Sequence, residues 1–302
     1  MARIGEVTPH VTVQDALVRA RTRAALVPDL MVEARRVVNT VIAGWHGRRR
    51  RGIGENFWQF RPYVEGDAIS RIDWRRSARE EGHLYVRDQE WEAAHTVWLW
   101  ADRSPSMLYR SNRAEVSKES RAIVHVLALA ELLSRSGERI AWPGLTDPFA
   151  ARNGAERLAQ YVAHAEPSAE RPDMKQIRRF CDVVISSDFL DPPDEIKLWL
   201  DPLTRGGIRV HLIEVADPTE ETFPYTGRIE FHDPETGERL TAGRAETVAE
   251  EYRNLYAARR EELRRWCKSL GWSYTVNHTD RLASEALIQV HTAMTSDMEI
   301  GR

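Results

Sequence analysis

The chain has 302 residues and a formal net charge of −3, with 42% hydrophobic and 29% charged residues. This is the balance of a globular domain with material for a buried core, and it argues against a disordered, fibrous or strongly polyanion-seeking protein. Two cysteines, Cys181 and Cys267, stand far apart, which excludes a disulfide framework or a zinc-ribbon pattern and predicts reduced thiols in a cytoplasmic setting. Residues 1–10 lack the basic and apolar regions of a signal peptide, and no run reaches the ~18 to 20 apolar residues of a membrane span, so no anchor is expected.

The order of elements starts with helix. Val13, Leu17, Ala20 and Ala24 recur at helical spacing, Pro28-Asp29 interrupts them, and a second helix runs through Leu30, Ala34, Val37, Val38 and Val41. Arg48–Arg51 form a basic run that is read as a solvated face, with a phosphate-bearing partner as the rival reading and nucleic acid disfavoured by the acidic residues nearby. Residues 52–92 are punctuated by glycine and proline and dense in aromatics, the texture of short strands and turns. Arg61, Asp67, Asp73, Arg75 and Arg79 are expected to form ion pairs that lock this segment onto the α/β domain, with Trp74 packed beneath them, and a recognition surface for a partner protein is the rival reading.

From residue 95 strands and helices alternate. Strands are predicted at 96–101, 139–142, 182–186, 208–215 and 272–276, with a short edge strand at 227–232 leading into the turn Asp233-Pro-Glu-Thr-Gly237. Helices are predicted at 115–135, 155–163, 194–200, 245–269 and 282–293. The resulting expectation is an α/β fold, a mostly parallel sheet with helices on both faces, carrying an N-terminal helical and short-strand extension. The extension is assigned to residues 1–92 and the α/β domain to 93–302.

Ligands in such sheets bind beyond the carboxyl ends of strands. Two acidic stretches fall there: Asp102-Arg-Ser104-Pro-Ser106 after the first strand, and Ser186-Ser187-Asp188-Phe-Leu-Asp191 after the third. Residues i, i+2 and i+4 of an extended loop project to one side, so Asp102, Ser104 and Ser106 can present three oxygens to one point. Hard cations such as Mg²⁺ take such oxygens, and Asp188 would supply a second carboxylate, supported by Ser187 or Asp191. The rival reading has these side chains capping the following helix and fixing the loop. His125, inside an apolar helix, reads as a core histidine. No P-loop, Gly-x-Ser-x-Gly elbow or His-Glu-x-x-His pattern occurs.

Asp-x-Ser-x-Ser after a buried strand, with Ser-Asp at a later strand end, resembles the metal-ion-dependent adhesion site of von Willebrand factor A domains. Four further blocks resemble the signature of the domain of unknown function 58 family: Gly52-Ile-Gly54-Glu55-Asn-Phe57, Arg61-Pro62-Tyr63-Val-Glu-Gly66-Asp67, Ile72-Asp73-Trp74-Arg75-Arg-Ser77-Ala78-Arg79 and Leu84-Tyr-Val86-Arg87. That family couples this signature to a von Willebrand A-like domain. The resemblance implies Mg²⁺ at Asp102, Ser104, Ser106 and Asp188, and a non-enzymatic adaptor for a MoxR-type AAA+ ATPase that assembles or remodels protein complexes. A Mg-dependent phosphoesterase-like hydrolase is the alternative. Adhesion sites of this kind also use a threonine. Thr146 is the nearest candidate in sequence, whereas the loop that aligns with the threonine position is Arg152-Asn153-Gly154-Ala155, which has none.

Overall fold

The computed structural model describes residues 28–42, 57–64, 72–79, 84–89, 95–165, 171–205 and 207–296. The helix expected at 11–24, the Arg48–Arg51 run and the Gly52–Glu55 block lie outside them. The described residues divide into two compact units: 57–89 form one, and 28–42 together with 96–296 form the other. The sequence reading places the 28–42 helix with the short strands instead.

In the smaller unit β1 (Phe57–Pro62) and β2 (Tyr85–Gln89) pair antiparallel. A single helical turn, α2 (Trp74–Ser77), is capped by Asp73, whose carboxylate accepts the Arg76 N–H at 2.9 Å. The Ser77 hydroxyl donates to Asp73 O and accepts from Tyr85 N, and Asp73 N donates to Tyr85 O. Three of the four sequence blocks thus meet in one small structure. Two expectations change. Asp73 serves as a helix cap, which needs only its short side chain and the free N–H groups of the first turn. Trp74 is 61% exposed rather than packed beneath arginines.

In the larger unit α1 (28–42) has Pro28 and Asp29 in its first turn, where a missing N–H and a negative charge are both tolerated. Leu30, Met31, Ala34, Val37, Val38 and Val41 form one apolar stripe buried in the main core. The sheet has six strands in the order β10-β7-β6-β3-β4-β5. These are β3 (Thr96–Ala101), β4 (Arg139–Trp142), β5 (Thr146–Phe149), β6 (Asp182–Ser187), β7 (Arg209–Ala216) and β10 (Ser273–His278). All neighbours are parallel except β5, which turns back antiparallel along β4. β6 and β7 are buried along nearly their whole length, as central parallel strands are, with Val183–Ile185 and Val210, Leu212, Ile213 and Val215 supplying the apolar core.

Helices α3 (Lys118–Arg135), α4 (Gly154–His164), α5 (Pro193–Leu200), α6 (Pro218–Thr222), α7 (Ala249–Ser269) and α8 (Ala283–Ser296) alternate with the strands. α3 lies across β3, β4, β6 and β7, while Trp199 of α5 meets Trp100 of β3 edge-on at 5.3 Å. The strand expected at 227–232 is not an edge of this sheet. It forms β8 (Ile229–His232), which pairs only with β9 (Arg239–Ala242) in a separate hairpin. His125 of α3 is a core residue as expected: Nδ1 lies 3.1 Å from Ser186 Oγ and Nε2 3.0 Å from Asn277 Oδ1. The Asn277 amide nitrogen donates to Leu282 O, so its oxygen accepts from Nε2–H, and burial keeps the His125 ring neutral. No helix among the described residues is long and apolar enough to cross a membrane.

Candidate functional site

The chain moves from β3 to β4 on one side and returns to β6 on the other. The order therefore switches between β3 and β6, where the carboxyl ends of an open parallel sheet leave a crevice. Asp102 follows β3 there, and Asp188 follows β6. The Asp102 N–H donates to Ser186 O at 2.8 Å, so the ladder itself holds the two strand ends together.

All four residues predicted as ligands converge. Asp102 Oδ1 accepts Ser104 N at 2.9 Å, which folds the loop back into the 3-10 turn Pro105–Leu108. Ser104 Oγ and Ser106 Oγ are 3.1 Å apart, and Ser106 Oγ donates to Asp188 Oδ2 at 2.9 Å. Ser187, expected to support Asp188, instead donates to Asp102 Oδ2 at 2.6 Å. Asp191 does not support Asp188 either, because it pairs with Arg171 at the surface. After Asp188 the chain turns through Phe189 in the left-handed region (φ 48°), with the Phe189 side chain buried and Arg259 donating to the carbonyls of both residues.

The candidate threonine positions are not part of this arrangement. Thr146 Oγ1 accepts the Trp142 N–H within the β4–β5 turn. The Arg152–Ala155 stretch lies at the opposite end of the sheet, because antiparallel β5 carries the chain from Trp142 back past Ile140 before α4 begins.

A residue that sequence reasoning missed stands at the centre. Lys118, the first residue of α3, is fully buried; Nζ lies 2.8 Å from Asp188 Oδ2 and 2.5 Å from Glu220 Oε1. Glu220 is held in turn by a capping box with Asp217 at the end of β7, and Asp217 accepts from Ser111 N and from Thr219 N and Oγ1. The ends of β6 and β7 are thereby tied together through one ammonium group, and Ser106 joins the end of β3 to the same Asp188 oxygen. A signal existed: lysine occurs four times in the chain, and one of the four opens the apolar helix after the Asp-x-Ser-x-Ser loop.

The electrostatics follow from this pairing. Burial opposes ionisation of Asp188, but Lys118 and the Ser106 hydroxyl outweigh it and hold its carboxyl below the ordinary range. Burial likewise opposes the charge on Lys118, and Asp188 and Glu220 more than restore it. Asp102 has no such cation. Burial, reinforced by the charge of Asp188, raises its pKa despite the hydrogen bonds from Ser187 and Ser104. Glu220 is also raised, by burial first, with Lys118 opposing. Two carboxylates face the ammonium, and Asp102 beside them has no cation of its own.

No three His, Cys, Asp or Glu side chains among the described residues converge as a metal-holding group. A metal here would rest on two carboxylates and two hydroxyls. These donors are all oxygens, the ligands a hard divalent cation takes, and Ser104, Ser106 and Asp188 are joined by hydrogen bonds of 3.1 and 2.9 Å. Asp102, Ser104, Ser106 and Asp188 would hold it, and it would supply an electrophilic point for an incoming carboxylate.

The fold and this crevice define an α/β protein with a mostly parallel sheet and an acidic, hydroxyl-rich pocket at its switch point. The chain matches the family described as Protein of unknown function DUF58 over residues 59–262, and it belongs to that family. It is also similar to two uncharacterized proteins, one from Mycobacterium tuberculosis and one from Mycobacterium bovis. Each is 27% identical over 277 residues, covering 85% of this chain and 85% of the relative.

Proposed function

We propose that the strand-end crevice is a protein-interaction site in a von Willebrand A-like domain, and that the chain is a cytoplasmic adaptor for a MoxR-type AAA+ ATPase. The observation that carries the interaction reading is the convergence of Asp102, Ser104, Ser106 and Asp188 on one point at the switch of strand order. Mg²⁺ bound there takes a partner's carboxylate as a further ligand. The partner class rests on the family resemblance, and the cytoplasmic setting is supported by two buried free cysteines. Catalysis is disfavoured because neither serine has a base. Ser106 donates to Asp188, whose proton affinity is depressed, and His125 has both ring nitrogens committed within the core.

Calorimetric titration of Mg²⁺ into the wild type and Asp102→Ala, together with capture of a MoxR-type ATPase, tests this. The expected result is Mg²⁺ binding and capture by the wild type, loss of both in Asp102→Ala, and retained capture by Arg49→Ala at high salt. Absence of Mg²⁺ binding by the wild type would remove the metal-bridged interaction. Mg²⁺-dependent turnover of a generic phosphoester, abolished in Asp102→Ala, would favour the hydrolase.

A further inference from the structure

The predicted turn Asp233–Gly237 lies at the tip of the β8–β9 hairpin, and it touches the crevice. The Ser106 N–H, in the middle of the Asp-x-Ser-x-Ser loop, donates to Glu235 Oε1 at 2.9 Å across 129 residues of sequence. We infer that Glu235 is an intramolecular occupant of the place a partner's carboxylate takes, so that the hairpin must lift before an acidic side chain of a partner can bind. This rests on the reading of the crevice as a carboxylate-recognising site.

Three features carry it. The tip is shaped to present Glu235. Asp233 accepts Glu235 N at 2.8 Å and Thr236 Oγ1 at 2.7 Å, and Gly237 N donates back to Asp233 O with Gly237 in the left-handed region (φ 76°). That leaves the exposed Glu235 side chain free to reach outward to Ser106.

The hairpin is also mechanically separate. It is a two-stranded sheet with no partner in the six-stranded one, a construction of marginal stability by itself. Its inner face rests on Phe223, which meets Phe231 at 5.6 Å and Tyr252 at 4.6 Å in an apolar cluster distinct from the main core. Gly227, in the left-handed region, and Gly243 flank the two strands. Lifting the tip therefore leaves the sheet and its core intact.

Finally, the contact already places a carboxylate at the loop. Glu235 sits on the backbone N–H of Ser106, whose Oγ is one of the oxygens that would hold the metal, next to where an external aspartate or glutamate would approach it.

The test compares wild type, Glu235→Ala and Glu235→Gln in Mg²⁺-containing buffer. Hydrogen exchange is followed over 104–108 and 229–242, and a blocked aspartate (N-acetyl-aspartyl-amide) is titrated while the Ser106 amide resonance is observed. Faster exchange at Ser106 and in the hairpin is expected in both variants. Probe binding is expected to tighten about tenfold in the alanine variant, the gain from freeing a site that is closed in about nine molecules of ten. The glutamine variant keeps the bulk and an accepting carbonyl oxygen but loses the charge, so its probe affinity should lie between those of the wild type and the alanine variant. If the wild type binds the probe at Ser106 and Glu235→Ala binds it no more tightly, the inference fails while the reading of the crevice stands. If neither protein binds it, both fail.

Discussion

Replacing Lys118 by Met keeps most of the side-chain volume and removes the ammonium that faces Asp188 and Glu220. The lysine is fully buried, and Asp188 is 3% exposed, so water cannot take over the lost interactions. Breaking one side of a buried ion pair costs about 3–5 kcal/mol, because the charge left behind is uncompensated. In a unit of this size that is a fall of roughly 10 °C in Tm. Chemical denaturation should show the loss, and its pH dependence should identify the cause.

In the wild type Asp188 is held below its ordinary pKa, so it contributes stability at neutral pH that is lost as pH falls through its folded-state value. Without Lys118, burial is opposed only by the hydrogen bonds from Ser106 Oγ and Leu190 N, the folded-state pKa rises above the unfolded one, and the sign reverses. The variant's deficit should be largest near pH 8 and shrink towards about pH 5 as the carboxyls take protons. Adding Asp188→Asn should recover more than about 1 kcal/mol of the loss, as charge partners in direct contact are not additive. A deficit under about 1 kcal/mol, equal at both pH values, would show that Lys118 does not neutralise this cluster.

Two further outcomes test the core behind the site. Burial, aided by Arg121, lowers the His125 pKa from 6.5 to about 3. Below pH 6.5 the unfolded chain binds a proton that the native state excludes, so stability falls with pH; the wild type should be about 2 kcal/mol less stable at pH 5 than at pH 7.5, and His125→Gln should lack that step. At Gly154 an added Cβ would stand 2.3 Å from Ser134 Oγ and 3.1 Å from Ile140 Cδ1. Gly154→Ala should cost about 1–3 kcal/mol in thermal or denaturant melts despite alanine's better helix propensity. Ser134→Ala in the same chain should return part of it.

What could be read from sequence was whatever depends on neighbours in the chain. The apolar runs Thr96–Ala101 and Asp182–Ser187 stop at small polar residues, so both strand ends, and Asp102, Ser104, Ser106 and Asp188 with them, were placed correctly. β5 was not foreseen, since Thr146-Asp-Pro-Phe149 carries a proline and an exposed aspartate and pairs only along one edge. The burial preference of aromatics predicts Trp74 beneath arginines, but the four-residue helix that carries it turns it to solvent.

The decisive groups were hidden for a different reason. A lysine at the start of a helix normally reads as a solvated charge, and its partners Asp188 and Glu220 lie 70 and 102 residues further on. Only the closure of β3, β6 and β7 side by side turns that lysine into the resident cation of an acidic pocket. Glu235 is a stronger case of the same kind: an exposed turn residue by every local criterion, it reaches Ser106 because a hairpin outside the main sheet folds over the crevice. The place of the site follows from where the strands end, whereas the charge balance there depends on Lys118, Glu220 and Glu235 meeting from distant segments of the chain. The same loop sequence could therefore support an open cation site or a self-neutralised one, and Lys118 and Glu235 are the residues that decide between them.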